Sequence, residues 1–218
     1  MDPKKQRGLP EAAWMNNLLI AVNVVVFIAE TCGAGRGRGL EHMYRIGALY
    51  APLLFKGQGF YRLVTSIFLH ADAAHLFNNM IVLFAGGQIV EKNLGHVRYG
   101  ILYLLSGIGG NLVSVLYDFL TRQYAYSVGA SGAVFGILGA LLFMILREAH
   151  NMRSNSRGMD RHMKSLLIRA GIMTAYLLYS GWNNPVVNQA AHVGGLTFGF
   201  VLSMVMAPQI RGDLSDLL

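Results

Sequence analysis

Charge is the scarcest property of this chain. Asp, Glu, Lys and Arg make up 13% of its 218 residues, where a soluble domain carries about 25%. That shortage excludes a large solvated surface. The hydrophobic share of 54% and a mean hydropathy of +0.42 point to lipid as the main solvent. Cysteine is almost missing: Cys32 stands alone, so no intramolecular disulfide and no cysteine-held metal cluster can form. Also missing are a contiguous basic face and the interleaved aromatic platform of single-strand binders. The net charge of +7 therefore calls for no nucleic-acid partner. It reads instead as topology signals and contacts to the head groups of membrane lipids. The chain has no long internal repeat and no low-complexity tract.

What is present is a series of weakly charged runs near the length that crosses a bilayer: about 14–32, 73–90, 99–117, 124–146, 166–182 and 186–207. They predict an all-α membrane bundle of six helices over 14–207, between tails 1–13 and 208–218. The first run carries Asn16, Asn17, Asn23 and Glu30, and Arg169 lies near the head of the fifth, where it can snorkel. The first run lacks a small-x-small cleavage site and is followed by further spans, so it is expected to stay as a helix.

A cytoplasmic N-terminus places Lys4, Lys5, Arg7, Lys92, Arg98, Arg147, Arg153, Arg157, Arg161, Lys164, Arg169 and Arg211 inside. Five of the remaining basic residues (Arg36, Arg38, Arg45, Lys56 and Arg62) crowd into the connection between the first two spans. The positive-inside rule then gives both termini in the cytoplasm. That connection, 33–70, opens with Gly33, Gly35, Gly37 and Gly39 and turns apolar over 43–55. It reads as an interfacial or partly inserted segment packed on the protein; a lipid-surface anchor without functional consequence fits the same residues.

Polar groups inside spans are costly and mark function or a buried partner. His75 and Asn79 share one helix face in the second span. The third span offers Asn111, the fourth Ser131, and the sixth Gln189 and His192. With the topology above, the second, fourth and sixth spans begin on the outer side, so His75, Asn79, Ser131 and His192 lie at similar depth. Asp72 and Asp118 fall in outer loops, which leaves a serine–histidine dyad, not a triad. Ser131 needs a base, and His192 has the pKa range for it. A developing oxyanion needs donors, which the Ser131 backbone N–H, the Asn79 amide and the His75 imidazole can provide. Gly129 and Gly132 leave room for a substrate or another backbone. Gly132, Gly136 and Ala140 form one small-residue ladder and Ala191, Gly195, Gly199 and Ser203 another, so the two helices can pack closely.

Taken singly, each signal has a plain structural alternative: His192 as an interhelical hydrogen bond, His75 and Asn79 as a structural pair. Together, Gly129-Ala130-Ser131-Gly132, Ala191-His192-Val193-Gly194-Gly195 with Gly199, and the segment from His70 to Asn79 resemble the rhomboid intramembrane serine proteases along nearly the whole chain. Tyr61-Arg62 stands where that family usually has Trp-Arg, Glu91 and Gly95 resemble its turn after the second span, and Phe135 occupies a position beside the dyad where some members carry tyrosine. The resemblance implies a six-span serine endopeptidase of a bacterial cell membrane, cutting the transmembrane segments of membrane-protein substrates through an acyl-enzyme at Ser131. It implies His75 and Asn79 in the oxyanion hole. Of the histidines in loops or at span ends, only His70 is given a structural role, and no metal or cofactor is expected. The alternative within the fold is a pseudoprotease that binds clients without cleaving them. A small transporter is the alternative outside it, and that would call for repeat symmetry or paired broken helices.

Overall fold

The computed structural model describes residues 13–33, 40–154 and 187–206, with isolated positions between 164 and 179. Among the described residues four helices are long and apolar enough to cross a membrane, covering Trp14–Cys32, Ala73–Leu94, His96–Thr121 and Ser131–Asn151, and Gln189–Val205 is a shorter apolar helix. The protein is an integral membrane protein with a helical bundle, and no named strand occurs among the described residues. The expected fifth span, 166–182, falls mostly outside them, as do most of the expected tails.

The helix α1 (Trp14–Gly33) contains the polar residues that made its run look weak, and they are turned inward. Asn16 and Asn23 are fully buried. The Tyr99 hydroxyl donates to Asn16 Oδ1 at 2.6 Å, and Asn23 Nδ2 donates to Leu19 O at 2.8 Å and to Tyr103 Oη at 3.2 Å. Each partner offsets part of the cost of an amide in lipid, while Asn16 Nδ2 and Asn23 Oδ1 stay unpaired.

The connection to the second span folds into short helices α2 (Leu40–Ile46), α3 (Ala51–Phe55) and α4 (Arg62–Thr65). It is held by a charge that our topology reading counted among the outer loop cations. Arg62 is buried; its guanidinium donates to Ala48 O and Tyr44 O, both at 2.8 Å, and lies 4.6 Å from the Tyr44 ring centroid. The flat fork of arginine suits two carbonyls and an aromatic face together. Asn111 of the third span secures the end of this connection through Leu63 O (2.8 Å) and Ser66 Oγ (3.0 Å). Protein donors thus meet the Tyr44, Ala48 and Leu63 carbonyls of this segment.

The second span comprises α5 (Ala73–Val82), a π-turn over Leu83–Gly87 and α6 (Gln88–Leu94). Asp72 caps it, accepting from His75 N at 2.8 Å. The third is α7 (His96–Thr121). The fourth, α8 (Ser131–Ser154), starts seven residues later than its apolar run suggested. Residues before Ser131 are extended because they pair elsewhere: Leu49 and Ser127 exchange both backbone hydrogen bonds at 2.9 Å. The last helix, α9 (Gln189–Val205), begins after the cap Asn188 and not at 186. The fourth helix is the most buried of these four spans and α1 the least.

The small-residue ladders of the fourth and last helices meet. A Cβ on Gly195 would land on the Gly132 carbonyl oxygen, one on Gly199 on the Gly136 carbonyl oxygen, and one on Gly139 on the Leu196 carbonyl oxygen. The third helix joins them through a ridge that the sequence reading passed over: a Cβ on Gly110 would lie 2.6 Å from Ala191 O, and one on Gly107 3.2 Å from Ala133 Cβ. In lipid, where no hydrophobic effect drives helices together, such close backbone approach provides the packing.

Candidate active site

Ser131 is the first residue of α8, so its backbone N–H is among the unpaired donors of a helix start. The turn before it depends on glycine twice over. Gly129 has φ +137°, and a Cβ there would lie 2.6 Å from His75 Cε1, 2.9 Å from His75 Nε2 and 3.6 Å from Ser131 Oγ. The His75 ring and the Ser131 hydroxyl therefore flank one small volume that any other residue would fill.

His192, in the first turn of α9, is buried. Its ring lies on Phe135, with centroids 4.2 Å apart and planes 16° from parallel, and its Nδ1 has no hydrogen-bond partner. Gly132, next to the serine, is 3.5 Å at its would-be Cβ from Ala191 O, next to the histidine. The residues flanking the two expected catalytic side chains thus lie close together, with room for little more than a methyl group between them. Among the described residues the serine and the histidine form no hydrogen bond to each other, a loose arrangement common in sites without substrate.

Asn79 is buried and its Nδ2 lies 3.2 Å from His70 Nε2. The Ala130 backbone N–H also reaches that ring nitrogen, at 3.5 Å. A backbone N–H only donates, so Nε2 is the acceptor and the His70 ring proton sits on Nδ1. Burial, and then the neighbouring His75, lower the His70 pKa from 6.5 to about 4. A neutral ring is what two incoming donors require. The sequence reading gave His70 an unspecified structural role; here it orients the amide of Asn79 and anchors the residue before Ser131.

The end of the bundle bearing Glu91 is organised by a carboxylate. Glu91 accepts from Met15 N (3.0 Å) and Asn16 N (2.7 Å), the free donors of the first turn of α1, and pairs with His96 Nδ1. Gly95, with φ +81° and open space around it, makes the turn into α7 by conformation alone. Asn188 also escaped the sequence reading, although a capping amide three residues before Ala191 is a recognisable helix-start signal. Among the described residues, no three of His, Cys, Asp and Glu converge as a metal site would need.

Residues 57–209 match the Rhomboid domain family model. The chain belongs to the rhomboid family. It is 32% identical to RHOMBOID-like protein 5 of Arabidopsis thaliana over 91% of this chain and 69% of that one. It is also 32% identical to the rhomboid protease GluP of Bacillus subtilis, over 89% of this chain and 34% of that longer protein. With Rhomboid-like protease 1 of Toxoplasma gondii the identity is 32%, over 78% and 54%. The matched family region begins within the 33–70 connection and takes in Ser131, His192, His75 and Asn79.

Proposed function

We propose that this rhomboid is an intramembrane serine endopeptidase working through a Ser131–His192 dyad. The observation that carries the reading is the close approach of the two helix starts, where a Cβ on Gly132 would lie 3.5 Å from Ala191 O and one on Gly195 would land on Gly132 O. His192 removes the Ser131 proton, the alkoxide attacks a substrate carbonyl, and the oxyanion is met by the Ser131 backbone N–H, Asn79 Nδ2 and the His75 ring. The same imidazolium then protonates the leaving amine, and water enters to release the acyl group. Phe135 holds the imidazole in plane, while Gly195 and Gly199 keep α9 against α8. The substrates are membrane proteins cut in or beside a transmembrane segment. The site faces the outside of a bacterial cell membrane, with both termini of the chain in the cytoplasm. No metal or cofactor takes part.

The named relatives support proteolysis unevenly, since some are named proteases and others only rhomboid-like. Purified protein in detergent is therefore incubated with a single-span model substrate and with a fluorophosphonate probe, beside Ser131→Ala. Wild type is expected to cleave and to be labelled, and the variant to do neither. Cleavage by Ser131→Ala rejects the nucleophile. Wild type that binds the substrate but neither cuts it nor takes the probe is the client-binding pseudoprotease. Chelators are expected to leave the activity unchanged.

A further inference from the structure

Asn188 ties the head of α9 to two other elements. Its Oδ1 accepts from Ala191 N at 3.0 Å, capping the helix, and its carbonyl oxygen accepts from His192 N at 3.2 Å. Its two amide hydrogens go to two other elements: Nδ2 donates to Ser114 Oγ of α7 at 2.6 Å and to Ser127 Oγ at 2.9 Å. Ser127 lies four residues before Ser131 and is itself clamped to Leu49 through both backbone bonds. Leu49 follows Ala48, whose carbonyl accepts from Arg62. A serine would cap the helix as well as asparagine does, but it cannot donate two hydrogen bonds while capping. The cap therefore does not explain the amide; the two tethers do. Glycine contacts between α8 and α9 set how close the helices come, yet a smooth small-residue seam resists sliding poorly.

We propose that Asn188 is a positioning residue that sets the axial register of His192 against Ser131 by tying the head of α9 to the extended segment leading into the serine. The proposal rests on the proteolytic reading above. Since a misplacement of about 1 Å can cost about 10²-fold in rate, Asn188→Ser, which keeps a cap and can keep at most one of the two tethers, is expected to lower kcat and the fluorophosphonate labelling rate roughly 10- to 100-fold. KM for the model substrate and the unfolding temperature should stay close to wild type. Ser127→Ala should act in the same direction, and the double variant should be no worse than Asn188→Ser alone, because both remove one link.

The same full-length protein, carrying spin labels at exposed Leu146 and Val193 in a Cys32→Ser background, should show a distance distribution that broadens or shifts on Asn188→Ser. Wild-type kcat in Asn188→Ser overturns the proposal. So does a loss of rate matched by a loss of melting temperature, or additive effects in the double variant. If wild type itself neither cleaves nor labels, the proteolytic reading fails by itself, and the spin-label distances then decide the tether: an unchanged distribution in Asn188→Ser overturns it.

Discussion

The two ends of this bundle bury ionisable groups in similar apolar surroundings and treat them in opposite ways. At the Glu91 end the carboxylate is saturated, with two backbone N–H groups and His96 Nδ1 on its oxygens. At the Ser131 end the His192 ring is stacked on Phe135, with Nδ1 left unpaired. A buried acid with a partner on each oxygen gives the fold a fixed corner. A buried base with an unpaired nitrogen costs stability, and its retention points to chemistry. The first arrangement joins α1 to the second and third spans; the second leaves an imidazole nitrogen unpaired at the head of α9.

The largest expected effects separate the two ends. His192→Gln should lower cleavage and labelling on the order of 10⁶-fold, as loss of a catalytic base does in serine hydrolases, with the unfolding midpoint unchanged or slightly raised. Glu91→Ala should do the reverse. Two N–H groups at the start of α1 lose their acceptor, at about 1–3 kcal/mol each, so the midpoint should fall while labelling per folded molecule holds. Thermal unfolding and probe labelling on the same samples measure both. If Glu91→Ala abolished labelling in protein that was still folded, the two ends would be coupled and the comparison would break.

Next in size is Gly195→Val. Its Cβ would sit on the Gly132 carbonyl oxygen, and backbone cannot rotate away as a side chain can. The helices must part by more than an ångström, so activity should fall by about 10²-fold or more, even in protein that inserts normally. Val205→Leu, at an exposed position near the other end of the same helix, should be nearly silent. Wild-type cleavage by Gly195→Val would mean that this seam does not assemble the site.

Most of the spans were legible in the sequence because hydropathy measures the same transfer energy that places a helix in lipid. The ladders were legible because glycine at i, i+4 spacing has few other uses in a membrane helix. Three features were hidden for one shared reason, that hydropathy is blind to where a backbone group finds its partner. Residues 124–130 are apolar enough to belong to a span, yet Ser127 pairs with Leu49. Arg62 looked like a topology charge and is a buried clamp on Ala48 and Tyr44. Asn188 fell inside the sixth apolar run, 186–207, and is a cap with two tethers. Of the expected site, Ser131, His75 and Asn79 stood out as polar residues in apolar runs. The use of His70 as an acceptor for Asn79 and Ala130 required coordinates.

A smaller effect concerns pH. His70 has a folded pKa near 4, against 6.5 in the unfolded chain, so it binds protons more readily when unfolded. Its contribution to stability is present above about pH 6.5 and is lost as pH falls through about 4. The unfolding midpoint of wild type should therefore decline over that window. His70→Gln, which keeps an acceptor for Asn79 and cannot titrate, should decline less steeply. Equal slopes in the two proteins would assign the acid sensitivity elsewhere and free His70 from its role as a neutral acceptor.

The smallest effect tests what holds an imidazole with an unpaired nitrogen in place. Phe135 stacks on His192 almost in parallel at 4.2 Å, and an aromatic pair of this kind is worth about 0.5–1.5 kcal/mol beyond its buried area. Phe135→Leu keeps apolar bulk and removes the stack, so if the ring only restrains the imidazole, kcat should fall by about 2- to 12-fold. Phe135→Tyr keeps the stack and should remain within a few-fold of wild type, the added hydroxyl costing most where burial denies it a partner. The order of the two variants is the sharper readout. Restraint by stacking requires tyrosine to outperform leucine in labelling rate at equal folded protein. If leucine matched wild type, the glycine seam and Asn188 would position His192 without the ring, and Phe135 would be ordinary core.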